Sequence, residues 1–166
     1  MRCADGHVRW GRFGAAGVVF VLRSSGVSAE ASADASADAS PDASDFGPLV
    51  MLQLRSGFAH EGGTWSCAGG ALDEGESPYE GALREASEEV GSAPDGHRLI
   101  GEYVFRPAPD WSYTTVVVEV PHRFGASLNF ETDAVEWVPV GEVGGRALHG
   151  GFAAAWPHLQ AIIAAG

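Results

Sequence analysis

Apolar positions fall into short runs separated by glycine and polar breaks, and the runs differ in period. Residues 15–23, AAGVVFVLR, are almost wholly apolar and rich in β-branched side chains, which predicts a buried strand. Residues 48–55, PLVMLQLR, predict a second strand. Two more are expected at 99–105 and 113–120, with RPAPDWS as the turn between them, and a short one at 134–140, AVEWVPV. Near the C-terminus the period changes. Phe152, Trp156, Leu159 and Ile163 follow helical spacing and predict a helix over 152–165 whose apolar stripe is core packing. Pro157 is expected to kink that helix or to shift its start. Strands, one helix, more strands and a last helix predict an α/β protein with a mixed sheet between helices.

One stretch has no such pattern. Residues 24–47 contain ASADASADASPDAS, a repeat of small and acidic side chains that cannot offset its ordering entropy by burial. It reads as a disordered insertion in a hairpin loop of a single domain spanning 1–166. The flanking strands can still pair, because loop-closure cost grows slowly with length.

Composition narrows the function. The chain has 166 residues, 45% of them hydrophobic, enough for one core. Its net charge is −12, and all ten basic residues are arginine. That balance disfavours long nucleic acids as partners. A small phosphorylated ligand remains open, because a divalent ion can supply positive charge. Only Cys3 and Cys67 occur, so no disulfide framework is expected and a reducing compartment is the default. The first residues lack a signal-peptide core, and GAAGVVFVL is about half the length that crosses a bilayer. The expected location is the cytoplasm, with no membrane partner. Oligomeric state is left open, a homodimer among the options. His60 and His149 read as loop residues, since no His/Cys zinc spacing is present.

The chemistry concentrates in residues 69–91, GGALDEGESPYEGALREASEEVG. Ser77, Pro78 and Glu80 form a helix start with a capping box, and Gly91 fits the position just past the end. On that helix Glu85, Glu88 and Glu89 stand at i, i+3 and i+4 and share a face. Like charges so placed are destabilising, and Arg84 can reach Glu88 at i+4 to offset part of the repulsion. A divalent cation would offset the rest, and hard ions such as Mg²⁺ and Mn²⁺ prefer carboxylate oxygen. Ala82, Ala86 and Val90 form an opposite, apolar face suited to a sheet. Taken alone, the glutamates fit a solvated acidic face better than a metal site.

The spacing around them resembles the Nudix hydrolase signature. Gly70, Glu76, Arg84, Glu85, Glu88, Glu89 and Gly91 fill its seven fixed positions, and Ser92 departs from its final hydrophobic. WSCAGG stands where many relatives have Trp, any residue, Leu-Pro-Gly-Gly, so Cys67 and Ala68 replace Leu-Pro. The pattern GTW…GGALDEGE, the strand TTVVVEV and the tail ETDAVEWVPV…LHGGFAAAWP look like an actinobacterial-type branch.

The resemblance implies a Nudix-like α/β/α sandwich with a loop-helix-loop signature. It implies Mg²⁺- or Mn²⁺-dependent cleavage of a pyrophosphate bond in a nucleoside diphosphate linked to another moiety. Nucleotide sugars, ADP-ribose and ordinary or oxidised nucleoside triphosphates are the candidate substrates. By position, Glu85, Glu88, Glu89 and the Gly69 carbonyl would hold metal, with Glu85 or Glu88 as base. Arg84 would orient the carboxylates, Glu76 would brace the loop, and Gly70 and Gly91 would be structural. Glu131 lies where many relatives carry another functional glutamate, although a plain surface carboxylate fits it equally. Arg55 could meet a phosphate, and Trp111 or Tyr113 could stack on a base; packing is the alternative for the aromatics. A non-catalytic nucleotide-binding module is the competing function.

Overall fold

The computed structural model describes residues 1–23 and 47–166. Apart from Gly47, the insertion expected at 24–47 lies outside the described residues. Seven strands form one mixed sheet: β1 (Ala15–Leu22), β2 (Leu49–Arg55), β3 (Trp65–Ser66), β4 (Ala68–Ala71), β5 (Arg98–Ala108), β6 (Trp111–Glu119) and β7 (Thr132–Pro139). Among the described residues two α-helices accompany it, α1 (Pro78–Glu89) and α2 (Gly150–Ala165), with a 3₁₀ helix at Val140–Gly145.

The sheet is split in a way that positions the site. Among the described residues β1 pairs with β2 only where Val21 and Leu22 meet Val50 and Leu49. Beyond that the two strands diverge. β3 pairs with β2 through Gln53 and Leu54, and β4 pairs with β1 from Ala15 to Val18. The short stretch 65–71 therefore crosses from one diverging strand to the other, with Cys67 at the crossing. On the far edge of β1, β6 runs parallel from Ala15↔Tyr113 to Val21↔Glu119. A parallel pair needs a crossover, and α1 lies within the connection.

Both faces of β1 are covered, so its sequence does not alternate. Val19 and Val21 join the cluster containing Phe152, Trp156, Leu159 and Ile163 of α2. Val18 and Phe20 join Ala82 and Ala86 of α1 and the adjoining Val90. The expected packing faces of both helices are thus the observed ones, and the layers are helix, sheet, helix.

β3 and β4, which the apolar pattern does not mark, lie in the glycine-rich stretch before α1. Two expectations are revised. The turn expected over RPAPDWS shrinks to Pro109 and Asp110, since β5 runs to Ala108 and β6 starts at Trp111. Pro107 is tolerated because it sits on an edge strand, where register shifts between Phe105 and Ala108. Pro157 does not shift the start of α2, which begins at Gly150 behind His149 as N-cap. Pro157 and Ala153 are exposed, so water can reach the carbonyl that loses its helical donor.

The capping box of α1 is complete. Ser77 Oγ accepts from Glu80 N at 3.2 Å, and Ser77 N donates to Glu80 Oε2 at 2.9 Å. Replacing a capping serine leaves helix N–H groups unpaired. Ser77→Ala is expected to lower unfolding free energy by about 1 kcal/mol in urea titration, with unchanged m-value.

Candidate active site

The loop before α1 and the crossing strand β4 hold the carboxylates in place. Arg84 donates from Nε to Glu76 Oε1 at 2.8 Å, from Nη2 to Glu76 Oε2 at 3.0 Å, and from Nη2 to Ala71 O at 2.9 Å. Its Nη1 donates to Glu85 Oε1 at 2.7 Å. These bonds hold the Glu76 carboxyl below its ordinary range and raise the Arg84 pKa. The i+4 contact expected with Glu88 is only marginal, at 3.9 Å, because Glu76 and Glu85 occupy the guanidinium. Glu88 is exposed instead. Glu85 lies directly over Gly70, where a Cβ would sit 2.1 Å from Glu85 Cδ. Any side chain there would have to displace the Glu85 carboxylate from its place beside Arg84. Gly91, at φ 127°, turns the chain after α1 and donates to Ala86 O at 2.9 Å.

Glu89 differs from its neighbours. It is only 6% exposed and points into the wedge where β1 and β2 diverge. Its Oε2 accepts from Gln53 Nε2 at 3.1 Å and from Gly69 N at 3.2 Å. Gln53 also donates to Cys67 O at 3.2 Å and accepts from Thr132 Oγ1 at 2.9 Å. Burial pushes the Glu89 pKa up to about 7, and the charges of Glu85 and Glu131 add to the rise while its two hydrogen bonds oppose it. Glu131 is exposed in the loop before β7, and its carbonyl accepts from Ser56 N at 2.9 Å. The expected acidic residues therefore gather at one place, from α1 and from the β7 loop.

This donor set suits a hard divalent ion. It consists of carboxylate oxygens with backbone carbonyl at hand, and it contains a buried carboxylate whose charge is costly without a cation.

A cavity of about 330 Å³ opens beside this cluster. Trp10, Phe105, Trp111 and Phe152 line it, and Arg55 and Gly69 border it. Gly69 belongs to both places: its backbone edges the cavity, and its N–H holds Glu89. Arg55 donates from Nε to His60 O at 2.9 Å, which fixes the guanidinium at the end of β2. Trp111 is mostly buried; Arg9 covers its ring at 5.3 Å, and its Nε1 donates to Trp10 O at 3.2 Å. Tyr113 is partly buried behind it, with its hydroxyl against Gly17 and Gly69. The open aromatic surfaces are Trp10 at 58% exposure and Phe105 at 52%. Neither was marked by the sequence pattern. Trp10 sits in an N-terminal arm without periodicity, and Phe105 looks like any strand residue.

Known proteins share this fold. The NUDIX domain profile matches residues 41–160, and the chain belongs to the Nudix hydrolase family. It is 35% identical over 161 residues to a Mycobacterium tuberculosis protein called "Putative 8-oxo-dGTP diphosphatase 3", covering 94% of this chain and 65% of that protein. It is also 35% identical over 162 residues to the "Nucleoside triphosphate pyrophosphatase/Nudix hydrolase fusion protein" of Bifidobacterium longum, covering 96% of this chain and 30% of the fusion. The chain thus spans under two thirds of the length of each. The crystal structure of the Nudix hydrolase RenU from M. smegmatis superposes with a TM-score of 0.79 at 29% identity, covering 98% of this chain and 92% of that one. Among the described residues no helix is long and apolar enough to cross a membrane.

The raised Glu89 pKa has a sign that can be checked. Its folded value, about 7, exceeds the ordinary 4.5, so its contribution is most favourable below about pH 4.5 and is lost as pH rises through 7. Glu89→Gln keeps an acceptor for Gln53 and Gly69 but carries no charge. In metal-free buffer it is expected to raise Tm by several degrees at pH 8 and by little at pH 4.5. Equal shifts at both values would contradict a buried, charge-destabilised Glu89.

Proposed function

We propose that the chain hydrolyses a pyrophosphate bond in a nucleoside triphosphate, with an oxidised purine nucleotide as the favoured substrate. One observation carries the reading: the carboxylate cluster and an aromatic-walled cavity share Gly69. A cavity of about 330 Å³ lies at the small end of ligand pockets and suits a nucleoside. The 35% identity with a relative named for 8-oxo-dGTP supports the choice of base.

Glu85, Glu88, Glu89 and the Gly69 carbonyl would hold Mg²⁺ or Mn²⁺. Such an ion, when bound, neutralises diphosphate oxygens and makes water more acidic. The chain's own residues then divide the work. Trp10 and Phe105 offer open rings to the base, and Trp111 forms the wall behind them. Arg55, at the cavity edge, is placed to meet a phosphate. Arg84 holds Glu85 and Glu76 in fixed rotamers, so the carboxylates need little reorganisation when substrate arrives. A base must be ionised and free to take a proton. Glu88 is exposed and 3.9 Å from Arg84, which suits it to that role better than Glu85, whose Oε1 is engaged. Glu131 adds a second exposed carboxylate from the facing loop. A pure binding module would have no need of this braced set.

The test is hydrolysis of 8-oxo-dGTP, dGTP, ADP-ribose and a nucleotide sugar, with and without Mg²⁺ or Mn²⁺. Metal-dependent cleavage of 8-oxo-dGTP is expected, reduced at least about a hundredfold in kcat by Glu88→Gln. Trp10→Ala is expected to raise KM by about tenfold with a smaller change in kcat. Binding of nucleotide by a folded protein without any cleavage would support the binding-module reading instead.

A further inference from the structure

A second cluster of ligand-bearing side chains lies at the mouth of the cavity and takes no part in the proposed hydrolysis. His60 and Glu61 stand on the turn between β2 and β3, and His149 precedes α2. One ligand atom from each lies within 4.8 Å of the other two. His149 Nε2 is 2.9 Å from Glu61 Oε2, and the two imidazole centroids are 6.3 Å apart. We propose that His60, Glu61 and His149 form a binding site for a borderline transition-metal dication of the zinc class, separate from the carboxylates of α1.

The donor types favour such an ion. Two imidazoles and one carboxylate prefer zinc, cobalt or nickel to magnesium, whereas the all-oxygen set on α1 has the opposite preference. The three ligands are held by structure rather than left on free tails. Glu61 has φ 53°, and among the described residues no other non-glycine residue has positive φ. That conformation is costly for a residue with a Cβ. A half-exposed His–Glu pair would return little of it. The turn is pinned by Gly63 N to Arg55 O at 2.8 Å and by Arg55 Nε to His60 O at 2.9 Å. Glu61 Oε2 also accepts from Gly150 N at 3.0 Å, which leaves Oε1 to face an ion.

Proton placement fits as well. His149 Nδ1 accepts from Gly151 N at 3.2 Å, so Nε2 carries the proton that faces Glu61. An ion at Nε2 replaces that proton, moves the ring proton to Nδ1 and releases Gly151 N–H. Arg55 is the nearby charge that opposes a cation, and its bond to His60 O directs it along the turn. Three protein ligands leave a coordination position open. Because His60 and His149 both line the cavity, a water or phosphate oxygen within it can complete the shell.

The test uses metal-stripped protein titrated with Co²⁺ in excess Mg²⁺, read by visible absorption and by equilibrium dialysis. One equivalent of Mg²⁺-resistant Co²⁺ is expected, with the absorption of a low-coordinate nitrogen–oxygen site that Zn²⁺ bleaches. The signal should vanish in His60→Ala and in Glu61→Gln and persist in Glu88→Gln. His60 is exposed, so His60→Ala should fold, and its thermal transition checks that it does. Absence of Mg²⁺-resistant Co²⁺ would overturn the proposal. So would a signal that survives His60→Ala or disappears in Glu88→Gln, which would assign the ion to α1. None of these readouts depends on hydrolysis, so a failed substrate assay and a failed metal site remain distinguishable.

Discussion

Arg84 ties together three parts of the chain that would otherwise repel or drift apart. Its guanidinium bonds both oxygens of Glu76 in the loop, one oxygen of Glu85 on α1, and the Ala71 carbonyl at the end of β4. Planar, bidentate geometry of this kind suits arginine and not lysine. Through these bonds the loop follows the helix and the helix follows the crossing strand. Gly70 completes the fit by leaving room for Glu85. On the acidic face of α1, neighbours therefore set the positions of Glu85 and Glu89, while Glu88 stays exposed.

Glu89 shows what such placement costs. A carboxylate buried in the wedge between β1 and β2 is destabilising at neutral pH, and the raised pKa expresses that cost. The fold keeps it there through Gln53 and Gly69, and Gln53 in turn is held by Thr132 beside Glu131. One hydrogen-bond chain thus links α1, β2 and the β7 loop. The split of the sheet is what makes room for it. Where β1 and β2 stop pairing, β3 and β4 cross between them, and the site and the cavity both open at that crossing.

The helix and its acidic face were legible because their determinants are local. A capping box, a Pro at the first position, and glutamates at i, i+3 and i+4 are all read within one short segment. Strands β1, β2 and β6 were legible because burial on both faces leaves long apolar runs. β3 and β4 were not, since Ala68, Gly69 and Gly70 carry no strand propensity and are held extended by pairing with β1. The turn expected over RPAPDWS proved shorter because two prolines signal a turn, whereas an edge strand with a register shift also accommodates one of them. At the site, position in a motif placed Glu85, Glu88, Glu89 and Arg84. Their partners Gln53 and Thr132, the open ring of Trp10, and the meeting of His149 with Glu61 arise from contacts distant in sequence. No local pattern records those contacts.

The proposed hydrolysis requires that the crowded carboxylates of α1 hold a divalent ion. Mn²⁺ binding followed by electron paramagnetic resonance, at pH 8 and without nucleotide, tests it most directly. The account predicts saturable binding that Mg²⁺ displaces and that weakens at least about tenfold in Glu85→Gln and in Glu89→Gln. Binding of equal affinity in the wild type and both variants would contradict it, as would no binding at millimolar Mn²⁺.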